Sequence, residues 1–329
     1  MSGTSLKFEN PINDAITRIH FAPQSYNLLI SSWDSNLRLY DVQSSMMRLE
    51  FPTEAALLDC CFQSESIAFT AASDGSITRF DMHSGNSEAL GHHDDLATCV
   101  EYSDQTCQTI TAGWDNKIMS WDTRLAKPLG CLKLHGASVE SLTLCGLELV
   151  VATGASINMY DFRNLSTLGY SKELWANNQI SSVQSLPDSR GFAVGSVDGR
   201  VSLEFPTRSG PYEKGYMFRC HPKLNDGRRH LVAVSDIAFN PLSSGTFATG
   251  DYEGYVIIWD ARSRKRIFEL PRYPSSVASL SFNQHGQLLA VASSYMYQEG
   301  KEIQEPPQIL IHQMNSSGSQ GGKVSSGNE

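Results

Sequence analysis

The sequence predicts an all-β fold, a closed propeller of seven four-stranded blades, from three observations. A strand–turn–strand phrase ending in an aromatic residue and Asp recurs along the chain. Asp41, Asp81, Asp122 and Asp161 end successive phrases 39 to 41 residues apart, and Asp260 ends another after a gap that holds two repeats and a longer loop. Gly-His and Trp-Asp marks accompany the period. A period of about 40–45 residues with these marks is the WD-repeat signature, one blade per repeat.

The clearest repeat runs from Thr111 to Asp122. Thr111 ends one β-run, Asp115 and Asn116 supply turn chemistry, and a second run leads to Trp121 and Asp122. The other blades follow from apolar first strands at similar spacing. The predicted first strands are Ile16–Phe21, Leu57–Phe62, Cys99–Tyr102, Val139–Leu144, Ile180–Val183, Val234–Phe239 and Val277–Phe282.

The seventh blade lacks a fourth strand at its C-terminal end. The segment Leu6 to Phe8 is predicted to supply it and close the ring, which leaves no long open sheet edge. His221 to His230 are predicted to form a long loop before blade six. The propeller is expected to span residues 1–313, and the Ser/Gly-rich tail, residues 314–329, is expected to be disordered.

Composition limits the classes of partner. The formal net charge is −9, which disfavours general attraction to nucleic acid. No apolar leader and no run of about 18 apolar residues is present, so no membrane partner is predicted. The 7 cysteines include no Cys-x-x-Cys, and we expect reduced, buried thiols in a soluble cytosolic or nuclear protein.

Blade three holds a candidate polar tetrad of His92, Thr111, Asp115 and Trp121. Buried polar groups need hydrogen-bond partners, so a structural network is the favoured interpretation. A hydrolase is disfavoured because no Gly-x-Ser-x-Gly elbow accompanies these residues. Metal binding by His92 and its neighbour is also disfavoured, since adjacent strand residues point to opposite faces. No catalytic residue, metal site or cofactor is predicted.

Four other residues are candidates for partner binding. Trp33 and Trp114 each precede the Asp of a turn between second and third strands, where an exposed ring is a plausible anchor. Capping of the turn below is the alternative. Arg200 and Arg219 are predicted to reach the same rim from neighbouring strands of blade five. Two close cations repel unless an anion joins them, and Arg binds phosphate bidentately. Solvated surface charge is the alternative.

Several phrases resemble the budding-uninhibited-by-benzimidazole WD-repeat family of the spindle assembly checkpoint, over nearly the full length. The two phrases that are most specific to this family run from Arg272 to Leu280 and from Ala292 to Tyr297. The other phrases are Ser31–Asp34, Leu39–Val42, Leu58–Cys60, Arg79–Asp81, Cys99–Tyr102, Ser196–Val201, Phe218–His221, Phe247–Gly250 and Lys265–Arg266. The mRNA-export propeller of the nuclear pore is a related family.

The resemblance implies a non-enzymatic adaptor with two binding activities. The family binds phosphothreonine in Met-Glu-Leu-Thr repeats of a kinetochore scaffold, and Arg200 and Arg219 match its basic positions. It also binds an acidic segment of checkpoint kinases, through a Trp that Trp33 matches and an Arg that Ser181 replaces here. Removing a cation from a buried acid costs about 2–5 kcal/mol, so the kinase contact does not carry over in full.

The resemblance therefore implies a spindle assembly checkpoint adaptor that supports chromosome–microtubule attachment in mitosis, with other checkpoint proteins as further partners. The expected location is the nucleus and, in mitosis, the kinetochore and centromere. The alternative is a nucleocytoplasmic mRNA-export propeller that binds nuclear pore components.

Overall fold

A computed structural model describes residues 3–124, 127–134, 136, 138–174, 178–206, 215–220, 223–225, 228–230, 232–243, 245–296 and 305–314, without the side chains of 223–225 and 228–230. Seven four-stranded antiparallel sheets form a ring around a central channel. The seven-bladed propeller predicted from the repeat is therefore confirmed.

The first four blades follow the chain in order. Their strands are β2 (Ile16–Phe21), β3 (Asn27–Ser32), β4 (Asn36–Asp41) and β5 (Met46–Pro52); β6 (Leu57–Ser64), β7 (Ile67–Ala72), β8 (Ser76–Asp81) and β9 (Ser87–His92); β10 (Ala97–Ser103), β11 (Gln108–Gly113), β12 (Lys117–Asp122) and β13 (Pro128–Lys133); and β14 (Val139–Cys145), β15 (Glu148–Thr153), β16 (Ser156–Asp161) and β17 (Asn164–Glu173).

The last three blades follow, and a separate two-stranded sheet lies between blades five and six in the chain. Their strands are β18 (Ile180–Ser185), β19 (Phe192–Ser196), β20 (Arg200–Glu204) and β21 (Tyr216–Arg219); the separate pair β22 (Lys223–Asn225) and β23 (Arg228–His230); β24 (Val234–Phe239), β25 (Thr246–Asp251), β26 (Val256–Asp260) and β27 (Lys265–Glu269); and β28 (Val277–Phe282), β29 (Leu288–Ser293), β30 (Gln308–Gln313) and β1 (Thr4–Ser5). The predicted loop from His221 to His230 thus contains a hairpin, because its ends can pair.

Ring closure uses the N-terminal segment, but not with the predicted residues. Thr4 and Ser5 pair with Ile311 and Leu310 of β30, two residues earlier than the predicted Leu6 to Phe8. Leu6 still donates its backbone N–H to the Ile309 carbonyl at 2.9 Å, and its side chain is buried in the core. The apolar residue anchors the segment, whereas the polar residues before it carry the strand pairing. Met314, the first residue of the predicted tail, is described, and its backbone N–H donates to the Gln287 carbonyl at 2.7 Å. The rest of the tail, residues 315–329, lies outside the described residues.

Packing between neighbouring blades explains why the inner strands are so apolar. In blade one, β3 is buried along its whole length, while the outermost strand β5 alternates between exposed residues and partly or fully buried ones. Sheets stacked face to face bury both faces of their central strands. The free edge of each blade therefore faces solvent, and the first strands line the channel.

The channel contains an ion-pair network that the sequence did not predict. The Nε atom of Arg18 in β2 lies 3.5 Å from Oδ1 of Asp59 in β6. The Nη1 atom of the same arginine lies 3.3 Å from Oδ1 of Asp236 in β24. The Asp59 and Asp236 carboxylates also accept backbone N–H groups of the following blades, from Val100 at 2.8 Å and Leu280 at 2.7 Å. Side chains from non-adjacent repeats therefore join the blades at the hub.

Candidate functional site

One edge of the disc, here called the upper rim, carries the turns between the second and third strands of the blades. Every first strand has a bulge immediately after its first residue, at this same edge. The repeated bulge shows that the blades share one orientation. The candidate binding residues can therefore be compared by register from blade to blade.

Arg200 and Arg219 lie directly opposite each other on the upper rim. Arg200 begins β20, Arg219 ends β21, and the two are Cα partners in the antiparallel register. Side chains of paired residues project from the same face of a sheet. The Arg200 side chain is 28% exposed and Arg219 is exposed. The structure thus places the two predicted arginines at facing positions of one solvent-exposed edge.

Asp198 holds Arg200 in place without enclosing it. The Arg200 Nε lies 2.7 Å from Asp198 Oδ2. Asp198 is itself fixed, since Ser196 Oγ donates to its Oδ1 at 2.5 Å and Asn178 Nδ2 to its Oδ2 at 3.2 Å. Within the described residues no ion pair of Arg219 is recorded. One cation of the pair is therefore oriented by the protein, and Arg219 is exposed beside it.

Trp33 is 45% exposed in the upper-rim turn of blade one, and its backbone N–H donates to the Ala15 carbonyl at 2.8 Å. The turn is held by Arg38, which is 1% exposed and forms two bonds with Asp34, at 2.9 and 2.8 Å. Arg38 also contacts Glu50 at 2.9 Å. Burial raises the pKa of Asp34, but hydrogen bonds from Arg38 and Ser32 outweigh this and lower it.

Trp114 occupies the same place in blade three and is 52% exposed. Its turn is held by a different network, in which the histidine is His93 and not the predicted His92. Trp121 Nε1 donates to Thr111 Oγ1 at 2.8 Å, the Thr111 hydroxyl donates to His93 Nε2 at 2.8 Å, and His93 Nδ1 donates to Asp115 at 3.0 Å.

The correction from His92 to His93 has a simple geometric reason. His92 is the last residue of β9 and its side chain is exposed, whereas His93 follows the strand and is completely buried. Neighbouring residues of an extended chain point in opposite directions, so only one can enter the network. The four side chains that interact are His93, Thr111, Asp115 and Trp121, and each polar atom has a partner. The arrangement leaves no hydroxyl free to attack a substrate.

Ser181 lies at the channel mouth, within the bulge of β18. Its hydroxyl donates to the Val234 carbonyl of blade six at 2.5 Å. Ser181 is uncharged, so it supplies no cation at this position, and its hydroxyl proton is used within the protein. The acid-binding contact that the family resemblance assigns to this position is therefore not reproduced by Ser181.

Two side chains in equivalent turns were missed. Val197 of blade five, which is 41% exposed, and the partly buried Tyr252 of blade six follow the second strand as Trp33 does. Their backbone N–H groups make the same bond to the preceding segment, with Gln179 and Ala233. These two residues could have been found from their position in the repeat, directly after the second strand, but not from their residue type.

Other site types find little support in the described part of the chain. No group of three or more His, Cys, Asp and Glu side chains there could hold a metal ion. Those residues include no helix long and apolar enough to cross a membrane. All 7 cysteines are free, but Cys107 and Cys131 are exposed, which corrects the expectation that every thiol is buried. Cys107 lies in the turn between β10 and β11, and Cys131 lies in β13, the outermost strand of blade three.

Comparisons with known proteins agree with this architecture. The family model for the WD domain, G-beta repeat, matches residues 5–41 and 86–122. Mitotic checkpoint protein BUB3.3 of Arabidopsis thaliana is 51% identical over 95% of this chain and 100% of its own. BUB3.1 of the same plant, also a mitotic checkpoint protein, is 40% identical over 94% of this chain and 92% of its own. The solved structure of U3-55K has a TM-score of 0.81 at 15% identity, covering 94% of this chain and 97% of that one, which supports the fold alone.

Proposed function

The chain belongs to the BUB3 family of mitotic checkpoint proteins, and on that premise we propose that it is a non-enzymatic adaptor that docks on phosphorylated kinetochore scaffold. The docking group is a phosphothreonine in a Met-Glu-Leu-Thr repeat, bound by Arg200 and Arg219. Docking in mitosis would support checkpoint signalling and chromosome–microtubule attachment, and would place the protein at the kinetochore.

One observation carries the proposal: the paired register of Arg200 and Arg219 at a solvent-exposed edge. Like charges directly opposite each other in a sheet are destabilising. Asp198 neutralises one of them, so the pair retains a net positive charge. A phosphoryl group carries about −1.5 to −2 charge and accepts bidentate bonds from Arg, so it fits this unbalanced pair better than a carboxylate does.

The exposed rings of Trp33 and Trp114 would pack against peptide residues that flank the phosphothreonine. Aromatic side chains supply much of the binding energy at interfaces because they bury a large area at small entropic cost. Both rings are about half exposed on the same rim as the arginine pair. In this arrangement the arginines select the phosphate, and the tryptophans contribute affinity that does not depend on it.

The proposal is tested by comparing phosphorylated and unphosphorylated Met-Glu-Leu-Thr peptides in fluorescence anisotropy. The phosphorylated peptide is expected to bind at least ten-fold more tightly, because charge-assisted hydrogen bonds contribute about 1.5–3 kcal/mol each. Raising the salt concentration is expected to weaken only the phosphorylated complex. Equal affinity for the two peptides would reject the mechanism.

The other partners follow from the family. Checkpoint kinases or kinase-like proteins remain proposed partners that bind at Trp33. The family's second contact is missing from this proposal, because the uncharged Ser181 stands where the family has an arginine. The mRNA-export alternative has less support, because the relatives described above are mitotic checkpoint proteins at 51% and 40% identity. Localisation separates the two: kinetochore staining in mitosis is expected, whereas an interphase nuclear-rim signal without it would favour export.

A further inference from the structure

Blade three carries a second pair of cations on the upper rim, at the register that Arg200 and Arg219 occupy in blade five. Lys117 begins β12, Lys133 ends β13, and the two are Cα partners. Both positions coincide with those of the arginine pair: the first residue of the third strand and the last of the fourth. The two blades thus present like-charged pairs at one edge of the disc.

The repetition is not imposed by the fold. Blades one, two and four have no pair of basic residues with permanent charge at this register. Their paired residues are Asn36 and Pro52, Ser76 and His92, and Ser156 and Glu173. Facing cations in a sheet are unfavourable, and the neighbouring acids Asp94 and Asp115 contact only Lys117, so Lys133 is the cation that an external anion would meet.

The two pairs are also arranged alike in detail. In each pair the first cation is bound by acids of the protein, whereas the second has no ion pair among the residues that the structure describes. Lys117 forms an ion pair with Asp94 and lies 3.8 Å from the turn residue Asp115, as Arg200 is bound by Asp198. Lys133 is exposed, and none of the ion pairs recorded among the described residues involves it. Trp114, in the same turn, is half exposed beside the pair.

We propose that Lys117, Lys133 and Trp114 form a second anion subsite, which binds a carboxylate side chain of the same segment whose phosphothreonine is held by blade five. The inference rests on the proposed function, and it adds a requirement for an acidic residue at a distance from the phosphothreonine. It places the acid on blade three, away from Ser181 in blade five.

A carboxylate fits this subsite better than a second phosphate. Lysine is a compact point charge without the planar fork that binds phosphate bidentately. Asp94 and Asp115 lie close to Lys117, and their charge would repel a phosphoryl group that carries nearly twice the charge of a carboxylate. The arginine pair faces one neutralising acid, whereas the lysine pair faces two.

Blade four, between the two cation pairs, adds selectivity. The exposed Glu173 stands there at the same register as Lys133 and Arg219. An unbroken acidic run would therefore be repelled midway, while a neutral or basic stretch would be accepted. The structure thus assigns the partner a charge pattern of acidic residue, neutral or basic spacer, and phosphothreonine.

Synthetic peptides test this pattern. Each contains the phosphorylated Met-Glu-Leu-Thr core, a Gly-Ser spacer of roughly four, eight or twelve residues, and a terminal Asp-Asp or Asn-Asn block at either end. Extended chain spans about 3.3–3.6 Å per residue, so the three spacers reach up to roughly 14, 29 and 43 Å, a range that tests the separation between blades three and five. At one spacer length the Asp-Asp peptide is expected to bind two- to five-fold more tightly than its Asn-Asn match. No gain at any length would overturn the inference and leave the phosphothreonine site standing.

Two matched variants test which lysine is responsible for the tighter binding of the Asp-Asp peptide. Lys133→Gln is expected to abolish it, whereas Lys127→Gln, which removes an exposed lysine near the other end of β13, is expected to retain it. Both positions are exposed, so neither change disturbs the core. A gain that survives Lys133→Gln would place the acid elsewhere and contradict the proposal.

A separate measurement does not depend on the phosphothreonine. An excess of an unphosphorylated Asp-rich peptide is added while surface lysines are acetylated, and modification is read by mass spectrometry. Lys133 is expected to be protected and Lys127 is not. Equal modification of Lys133 with and without the peptide would overturn the subsite even if the phosphopeptide binds.

Discussion

Arg38 and Asp34 form a two-point ion pair at the base of the turn that carries Trp33. The guanidinium is almost fully buried, and its Nη1 and Nη2 atoms lie 2.9 and 2.8 Å from the two carboxylate oxygens. Asp34 also accepts the backbone N–H of Asn13 at 3.1 Å. The pair therefore fixes both the turn and the segment that enters blade one.

Arg38→Met is expected to lower the free energy of unfolding by about 3–5 kcal/mol, because it leaves the Asp34 carboxylate buried without its charge partner. Urea denaturation measures the loss. Arg48→Met is the control: Arg48 is exposed and makes one bond to Asn27 at 3.3 Å, so its removal is expected to cost less than about 0.5 kcal/mol. Similar losses for the two variants would contradict the role of Arg38.

Neighbouring histidines in blade three are expected to respond differently to substitution. His93→Ala removes the acceptor of the Thr111 hydroxyl and the donor to Asp115, and is expected to lower stability by about 1–3 kcal/mol. His92→Ala changes an exposed side chain and is expected to stay within about 0.5 kcal/mol. Thermal unfolding of both variants gives the comparison. The reverse order would restore His92 to the tetrad.

Glu101 in the central channel is expected to make stability depend on pH. Burial, with a smaller contribution from Asp59, raises the pKa of Glu101 from 4.5 to about 7. Between these values the folded state binds more protons than the unfolded state, so this contribution to stability decreases as pH rises. Glu101→Gln keeps an acceptor for the Leu144 N–H, which donates to Glu101 at 2.8 Å.

The measurement is the free energy of unfolding of wild type and Glu101→Gln at pH 5 and pH 8. The variant is expected to gain stability relative to wild type as the pH rises, while other titrating groups cancel in the comparison. A difference that is the same at both pH values would show that Glu101 titrates at its ordinary pKa.

Thiol labelling is expected to distinguish two cysteines from the rest. Cys107 and Cys131 are exposed, whereas the other five are buried. Burial raises the pKa of both Cys60 and Cys99 to about 12, which removes the reactive thiolate at neutral pH. Mass spectrometry after brief maleimide treatment should find two additions in the native protein and seven after denaturation. Rapid labelling of Cys60 or Cys99 would indicate an open blade interface.

Local periodicity was sufficient to predict the ring from the sequence. The first strands of blades one, six and seven, Ile16–Phe21, Val234–Phe239 and Val277–Phe282, have the predicted bounds. Each consists of alternating or continuous apolar residues next to turn signals, and these are short-range features. The same logic placed Arg200 and Arg219 at the ends of adjacent strands, where the structure brings them together.

Features that depend on a single residue or on distant partners were not predictable. His92 and His93 differ by one position, which is enough to reverse the direction of the side chain. Arg18 meets Asp236 from a position 218 residues away, so no local pattern marks the pair. Arg38 looks like an ordinary charged residue of a repeat, and only the closure of blade one around it shows that it is buried.

The most direct test of the central claim is isothermal titration of a phosphorylated Met-Glu-Leu-Thr peptide into wild type, Arg219→Ala and Arg124→Ala. Arg124 is an exposed arginine on the opposite rim, paired with Asp122 at 2.9 Å. Loss of one phosphate-binding guanidinium is expected to weaken binding by about 10- to 100-fold, equivalent to about 1.5–3 kcal/mol, while Arg124→Ala binds as wild type does. Wild-type affinity in Arg219→Ala would contradict the account.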